Sequence, residues 1–147
     1  MLLFEGPAGS GRLAAAHALC TAAGIALLVA HIDAAMHAQD PFDEVVGLCV
    51  REATLRNAAI YWEGCEVVLE PGRPRLHWDQ LVEAVESFPG PAVLATTVPR
   101  DPLHQLRTRL LVRYAPRPAY ELRRRLWDRC RLCCMRRGRA GWCRLAA

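Results

Sequence analysis

The chain has 147 residues, of which 52% are hydrophobic and 23% charged. This length suits one domain with a sizeable core, and we expect no second folded domain beside it. All 19 basic residues are arginine, and they are unevenly placed. Residues 1–99 hold 5 arginines and 12 acidic residues, whereas residues 100–147 hold 14 arginines and 3 acidic residues. This asymmetry indicates either a surface for nucleic acid or an acidic partner, or an arginine-rich helix and tail that are simply solvated.

Residues 13–32 carry almost no charge and approach the roughly 20 residues that a membrane span needs. However, His17, Thr21, Gly24 and His31 interrupt this stretch. No basic segment precedes it, as a signal peptide would require. We therefore expect a cytoplasmic protein without a membrane partner. The seven cysteines then favour reduced thiols over disulfides.

Apolar runs alternate with helical patterns in the order β-α-β-α-β-α-β-β-α, which is typical of a parallel sheet flanked by helices. The predicted strands are residues 2–4, 25–30, 58–62, 92–96 and 110–114. The predicted helices are residues 11–23, 42–57, 77–88 and 119 to about 132. The nearly continuous apolar run 25–30 suits a strand that is buried on both faces. Ligands of such sheets gather at the carboxyl ends of the strands, where Glu63, Thr96 and Thr97 fall.

The other chemistry-bearing residue types give weaker signals. Three cysteines lie in apolar contexts typical of core packing, namely Cys20, Cys49 and Cys65. Four more could supply thiolates for zinc, but at irregular spacing: Cys130, Cys133, Cys134 and Cys143. The five histidines are scattered and indicate packing or surface positions. The tryptophans likewise indicate core or amphipathic-face positions.

A glycine-rich loop follows the first predicted strand and precedes the first predicted helix. It matches the glycine frame of the phosphate-binding pattern G-x-x-x-x-G-K-[ST] and departs from it at the last two positions. The candidate nucleotide-binding residues are Gly6, Pro7, Ala8, Gly9, Ser10, Gly11, Arg12 and Leu13. Glycines let successive N–H groups turn toward an anion, and the positive end of the helix points to the same place. Arginine can still contact phosphate, whereas leucine offers no oxygen to Mg²⁺.

The order of these motifs along the chain resembles the core of an AAA+ ATPase, a branch of the P-loop NTPases. The likeness is closest to the AAA+ proteins of phage-tail-like contractile injection systems. It covers about residues 1–130 and rests on the glycine loop, the strand ends 59–63 and 92–97, and a Pro116-x-Pro118 turn leading into 120–123. It implies an α/β three-layer sandwich with a five-stranded parallel sheet. Residues 131–147 would form a basic, cysteine-rich tail without regular structure.

The resemblance also implies a set of site residues. Glu63 would help to hold Mg²⁺, and Glu66 could replace the catalytic glutamate, since Gly64 occupies the usual place of that base. Thr96 or Thr97 would orient the attacking water or the γ-phosphate, although both also suit a strand end. Arg107 or Arg109 would reach in trans into the site of a neighbouring subunit. The resemblance further implies that two parts of the family would be missing, namely the segment that contacts adenine and the helical lid.

The leading hypothesis is an ATP-binding, Mg²⁺-dependent AAA+ domain that acts as a homo-oligomer in assembling or remodelling a larger particle, with weak or lost hydrolysis. A small P-loop kinase is an alternative. A third interpretation is a non-catalytic module whose arginine-rich end binds nucleic acid or a protein partner, with a vestigial loop.

Overall fold

The structure is a computed structural model, and it describes residues 1–70, 75–97, 111–114, 119–125 and 128. Its strands are β1 (Leu2–Glu5), β2 (Ala26–His31), β3 (Ala58–Glu63), β4 (Ala92–Thr96) and β5 (Leu111–Tyr114). They lie parallel in the order β2-β3-β4-β1-β5. The predicted parallel α/β class is therefore confirmed.

Five helices connect the strands: α1 (Arg12–Ala23), α2 (Ile32–Met36), α3 (Phe42–Leu55), α4 (Glu66–Leu69) and α5 (Arg75–Ser87). The two short helices α2 and α4 were not predicted. Residues 120–125 are also helical, inside the last predicted helix. Within the described ranges, no helix has the length and apolar character needed to cross a bilayer.

The two faces of the sheet carry separate apolar clusters, because successive side chains of a strand point to opposite sides. On one face, Trp62 of β3 packs in a large cluster with Val46 of α3 and Leu81 of α5. On the other face, Tyr61 packs in a smaller cluster with Ala16 of α1. Helices therefore lie on both sides of the sheet in three layers.

The strand β2 differs from its prediction. It lies at one edge of the sheet, and Ala30 is its single buried residue. The expectation of burial on both faces is therefore wrong for β2. The nearly unbroken burial expected there is found instead in β3 and β4, which lie inside the sheet.

The helix α1 is anchored by a narrow stripe. Arg12, Ala16 and Cys20 are its buried residues, spaced one turn apart, whereas Leu19 is 52% exposed. The helix ends at Gly24, which has the left-handed conformation common at helix C-termini (φ +69°). The first turn of α1 thus sits against the sheet directly after the glycine loop.

Candidate functional site

The carboxyl ends of three strands meet beside the glycine loop. The strand β4 lies between β1 and β3, and Glu5 at the end of β1 is in register with Thr96 at the end of β4. The N–H of Gly6 donates a 3.1 Å hydrogen bond to the carbonyl of Thr96, and the N–H of Cys65 donates a 3.0 Å bond to the carbonyl of Ala95. The loop and the segment after β3 are therefore both tied to the end of β4.

The loop itself is a compact turn built around two glycines. Gly9 and Gly11 have φ values of +76° and +90°, a region that side chains with a Cβ rarely adopt. The N–H of Ser10 donates to the carbonyl of Pro7 at 3.1 Å. The backbone conformation of the loop therefore explains why glycine occupies these two positions.

No side chain of the described residues offsets the partial positive charge at the amino end of α1. Gly11 is the N-cap residue, no side chain caps the helix, and its first turn contains no acidic residue. The first N–H groups of a helix lack partners within the helix and carry partial positive charge. This end of α1 therefore favours an anion.

Two buried polar side chains lie at the same place. Ser10 is 8% exposed and Arg12 is 9% exposed. The Oγ of Ser10 and the Nη1 of Arg12 are fully covered and have no hydrogen-bond partner among the described residues. The other covered polar atoms without a partner belong to Trp62, His77 and Gln80, on β3 and α5. A buried charged group with an unpartnered nitrogen is costly, so Arg12 marks a place where a counter-charge would stabilise the chain.

The positive charge of Arg12 reaches the end of β3. Burial raises the pKa of Tyr61 to about 12, the positive charge of Arg12 lowers it, and the negative charges of Glu63 and Glu66 raise it. Burial likewise raises the pKa of the Cys65 thiol to about 12, while Arg12 again acts in the opposite direction. Arg12, Glu63 and Glu66 therefore act on a common region around Tyr61, which was not predicted as a site residue.

Glu63, the predicted magnesium ligand, contacts a histidine. The Nδ1 atom of His31 lies 3.0 Å from the Oε2 atom of Glu63, and the two residues are in register as the last residues of β2 and β3. The Glu63 side chain is 34% exposed and the His31 side chain 62% exposed. The sequence places a polar residue at the end of each strand, but it does not show that the two strands are neighbours.

Glu66, the candidate replacement base, is tied to the end of β4. It is the first residue of α4, and its Oε2 atom accepts a 3.2 Å hydrogen bond from the N–H of Thr97. Thr96 is 1% exposed and Thr97 is half-buried. Between the two glutamates, Gly64 has a left-handed backbone (φ +80°). The structure thus gathers the predicted residues at β3 and β4 next to the loop.

The described residues offer few oxygen ligands for Mg²⁺. Leu13, in the place of the usual hydroxyl, packs against the smaller apolar cluster. Within the described part of the chain, no group of three or more histidine, cysteine or carboxylate side chains is arranged to hold a metal. Mg²⁺ prefers near-octahedral oxygen coordination, and Glu63 is the one expected ligand in place.

Several predicted residues lie outside the described residues. They are Arg107, Arg109, Pro116, Pro118, the tail 131–147 and the tail cysteines Cys130, Cys133, Cys134 and Cys143. Of the other three cysteines, Cys20 and Cys65 are buried and Cys49 is half-buried, all as free thiols. The prediction of core packing is confirmed for Cys20 and Cys65.

A cavity of about 190 Å³ lies at the opposite end of the strands, away from the glycine loop. It is lined mainly by apolar side chains and backbone near the amino ends of β3 and β4: Ile25, Ala53, Thr54, Asn57, Ala58, Phe88, Pro89, Gly90 and Pro91. None of the predicted site residues lines it. The polar chemistry and this cavity are therefore at different ends of the sheet.

Comparison with known proteins adds no assignment, since no protein-family model matches the chain and no curated protein matches it.

Proposed function

We propose that the chain is an ATP-binding domain of the P-loop NTPase class, of the AAA+ type, which holds the phosphate chain of the nucleotide in the loop 6–13. The observation that carries this proposal is the buried Arg12 guanidinium. Its Nη1 atom has no hydrogen-bond partner among the described residues, and Arg12 is the first residue of α1, whose amino end is uncapped. A phosphate would supply both the missing charge and the missing acceptors.

The position of the loop in the sheet supports the same ligand. The loop follows β1, an inner strand that pairs with β4 on one side and β5 on the other. Ligands of open parallel sheets bind outside the carboxyl ends of the strands. Glu63, Glu66 and Thr96 end or follow the neighbouring strands β3 and β4 there.

We propose further that hydrolysis is weak or lost. Gly64 stands where the resemblance places a catalytic glutamate, and Glu66 accepts a hydrogen bond from the backbone of Thr97. General-base and electrostatic contributions are each worth about 10²-fold or more in rate. The homo-oligomer, the trans arginine at Arg107 or Arg109, the role in remodelling a larger particle and the cytoplasmic location belong to this proposal by resemblance.

A second candidate is the arginine-rich binding module. Residues 119–125 are all exposed, including Arg123, Arg124 and Arg125. Three adjacent exposed arginines favour contact with phosphate groups or acidic side chains. If this candidate is right, the chain binds nucleic acid or a protein partner with an affinity that does not change when nucleotide is added.

Calorimetric titration with ATP tests the leading proposal. We expect wild-type protein to bind ATP and the Arg12→Gln variant to bind it about 10- to 100-fold more weakly, because a hydrogen-bonded charged contact contributes about 1.5–3 kcal/mol. Arg51→Gln is the matched control, since Arg51 is an exposed arginine in α3. Far-UV circular dichroism verifies that each variant is folded.

Tighter ATP binding by Arg12→Gln would contradict the role given to Arg12, because the guanidinium would then fill the space of the phosphate instead of contacting it. A different result would contradict the proposal as a whole. No heat with wild-type protein, together with nucleotide-independent and salt-sensitive DNA binding, would favour the second candidate.

A further inference from the structure

We propose that the loop 6–13 binds the phosphate chain without a divalent cation, and that the Arg12 guanidinium supplies the positive charge which Mg²⁺ supplies in the resembling family. This inference rests on the proposed function. It concerns the form of the ligand, which is a nucleotide phosphate chain that is not chelated to a metal.

The first argument concerns the oxygen ligands that a magnesium ion would need. The loop position after Arg12 is Leu13, whose side chain belongs to the apolar cluster on the α1 face of the sheet. A leucine at this place removes a hydroxyl ligand and offers no other oxygen to a metal ion. Mg²⁺ loses its water reluctantly and requires well-placed oxygens to do so.

The second argument concerns the two nearby carboxylates. One oxygen of Glu63 lies 3.0 Å from the His31 ring nitrogen. One oxygen of Glu66 accepts the N–H of Thr97 at 3.2 Å. Both carboxylates therefore already have protein partners at the ends of the neighbouring strands β2 and β4. A metal ion would have to compete with these contacts.

The third argument concerns the charge that is present. Arg12 is buried, its charge is permanent, and no ion pair joins it to a described carboxylate. Its planar group offers five N–H donors and is more weakly hydrated than an ammonium group, so it suits a buried contact with phosphate. The covered Ser10 hydroxyl adds another donor at the same site. Phosphate oxygens that are not occupied by a metal are the acceptors which match these donors.

The experiment compares ATP binding by calorimetry in excess EDTA and in excess MgCl₂ at equal ionic strength. We expect the affinity in EDTA to equal or exceed the affinity in MgCl₂. The double substitution Arg12→Lys with Leu13→Thr restores the usual loop residues, and we expect it to shift the preference toward MgCl₂ by about 10-fold or more. Arg51→Gln should keep the wild-type preference, and circular dichroism verifies folding throughout.

The outcomes separate this inference from the proposed function. ATP binding that falls more than 10-fold in EDTA would overturn the inference and leave the nucleotide-binding proposal standing. An absence of binding under both conditions would overturn both. Equal binding of ATP in both conditions that is unchanged by Arg12→Gln would also overturn the inference, because Arg12 would then not carry the contact.

Discussion

Gly64 shows how one backbone conformation constrains the chemistry after β3. Its φ of +80° places it in the left-handed region, and open space surrounds the position of a Cβ atom. The Cβ atom of a residue at this place would therefore meet no clash, but its backbone would be strained. The loss of the expected base and the shape of this turn are thus coupled, and replacing Gly64 by glutamate alone would not rebuild the site.

A pair of glycine substitutions tests this reasoning. We expect Gly64→Ala to lower the free energy of unfolding by about 1 kcal/mol, because of the left-handed backbone. Gly47 lies in the exposed interior of α3 with ordinary helical geometry and open space. Gly47→Ala should raise the free energy of unfolding by up to about 1 kcal/mol. Urea denaturation measures both, and equal effects of the two substitutions would contradict the argument.

Single residues were predictable where their chemistry is local. The glycines of the loop follow from the turn that they must make, and Glu63 follows from its place at a strand end. His31 and Tyr61 were not predicted, because their roles arise from strands that are adjacent only in the folded sheet. Nor does the sequence alone show that the Arg12 side chain is buried, since arginine usually remains exposed.

At the scale of elements, β3 and the turn that follows it carry two buried groups that resist ionisation, Tyr61 and Cys65. The pKa of Cys65 is raised from 9.0 to about 12 and that of Tyr61 from 10.0 to about 12, in both cases mainly by burial. In the unfolded chain both groups ionise at their ordinary values. The folded state therefore binds more protons than the unfolded state between about pH 9 and pH 12, so stability falls as the pH rises through this window.

Alkaline denaturation tests the raised pKa values of Tyr61 and Cys65. We expect wild-type stability to be nearly constant just below pH 9 and then to fall by roughly 1.4 kcal/mol per pH unit for each such group. Cys65→Ala removes one of the two groups and should show a shallower fall between pH 9 and pH 11. Urea midpoints at half-unit pH steps measure the slope. Parallel curves for wild type and variant would contradict the assignment to Cys65.

The accuracy of the predicted elements depended on their length. The longer helices and the inner strands contain enough residues for a period or an apolar run to show, and their bounds agree with prediction to within two residues. The helices α2 and α4 have five and four residues, which is too short for a helical period to be recognised. The strand β2 was assigned too much burial, because its apolar run does not reveal that it lies at an edge.

At the scale of the whole molecule, the described helices α3 and α5 each have a net negative charge, although each also exposes an arginine, and the described residues 119–125 have a net positive charge. The helices α3 and α5 expose Asp43, Glu44, Asp79 and Glu83, whereas residues 119–125 expose three arginines. If residues 119–125 of one copy face α3 and α5 of the next, we expect the two copies to attract one another. This attraction agrees with the proposed homo-oligomer, and salt should screen it.

Sedimentation velocity tests this association. We expect oligomers with ATP at about 50 mM salt and their loss at about 500 mM salt, where the screening length is only a few ångströms. Replacing Arg123, Arg124 and Arg125 by glutamate should abolish association, whereas Arg51→Glu should have little effect. A monomer under every condition would contradict the homo-oligomer. Duplex DNA that shifts only the wild-type boundary would favour the nucleic-acid candidate.

The order of the strands was beyond what the sequence could predict. Alternating apolar and helical patterns predict a parallel sheet, but they do not specify which strands are neighbours. The inner position of β1 depends on pairing with β4 and β5, both distant in the chain. Long-range pairing of this kind is decided by the packing of the whole domain.

The position of β1 has a consequence for biosynthesis. The strand β1 is made before both of its neighbours, β4 and β5, which follow much later in the chain, and the N–H of Gly6 has its acceptor on Thr96. A nascent chain must therefore keep an apolar strand without partners until β4 and β5 emerge, which exposes it to misassembly and to chaperones. The hydrogen bond from Gly6 to Thr96 can form only after β4 has been made, so we expect the proposed ligand site to be completed late in synthesis.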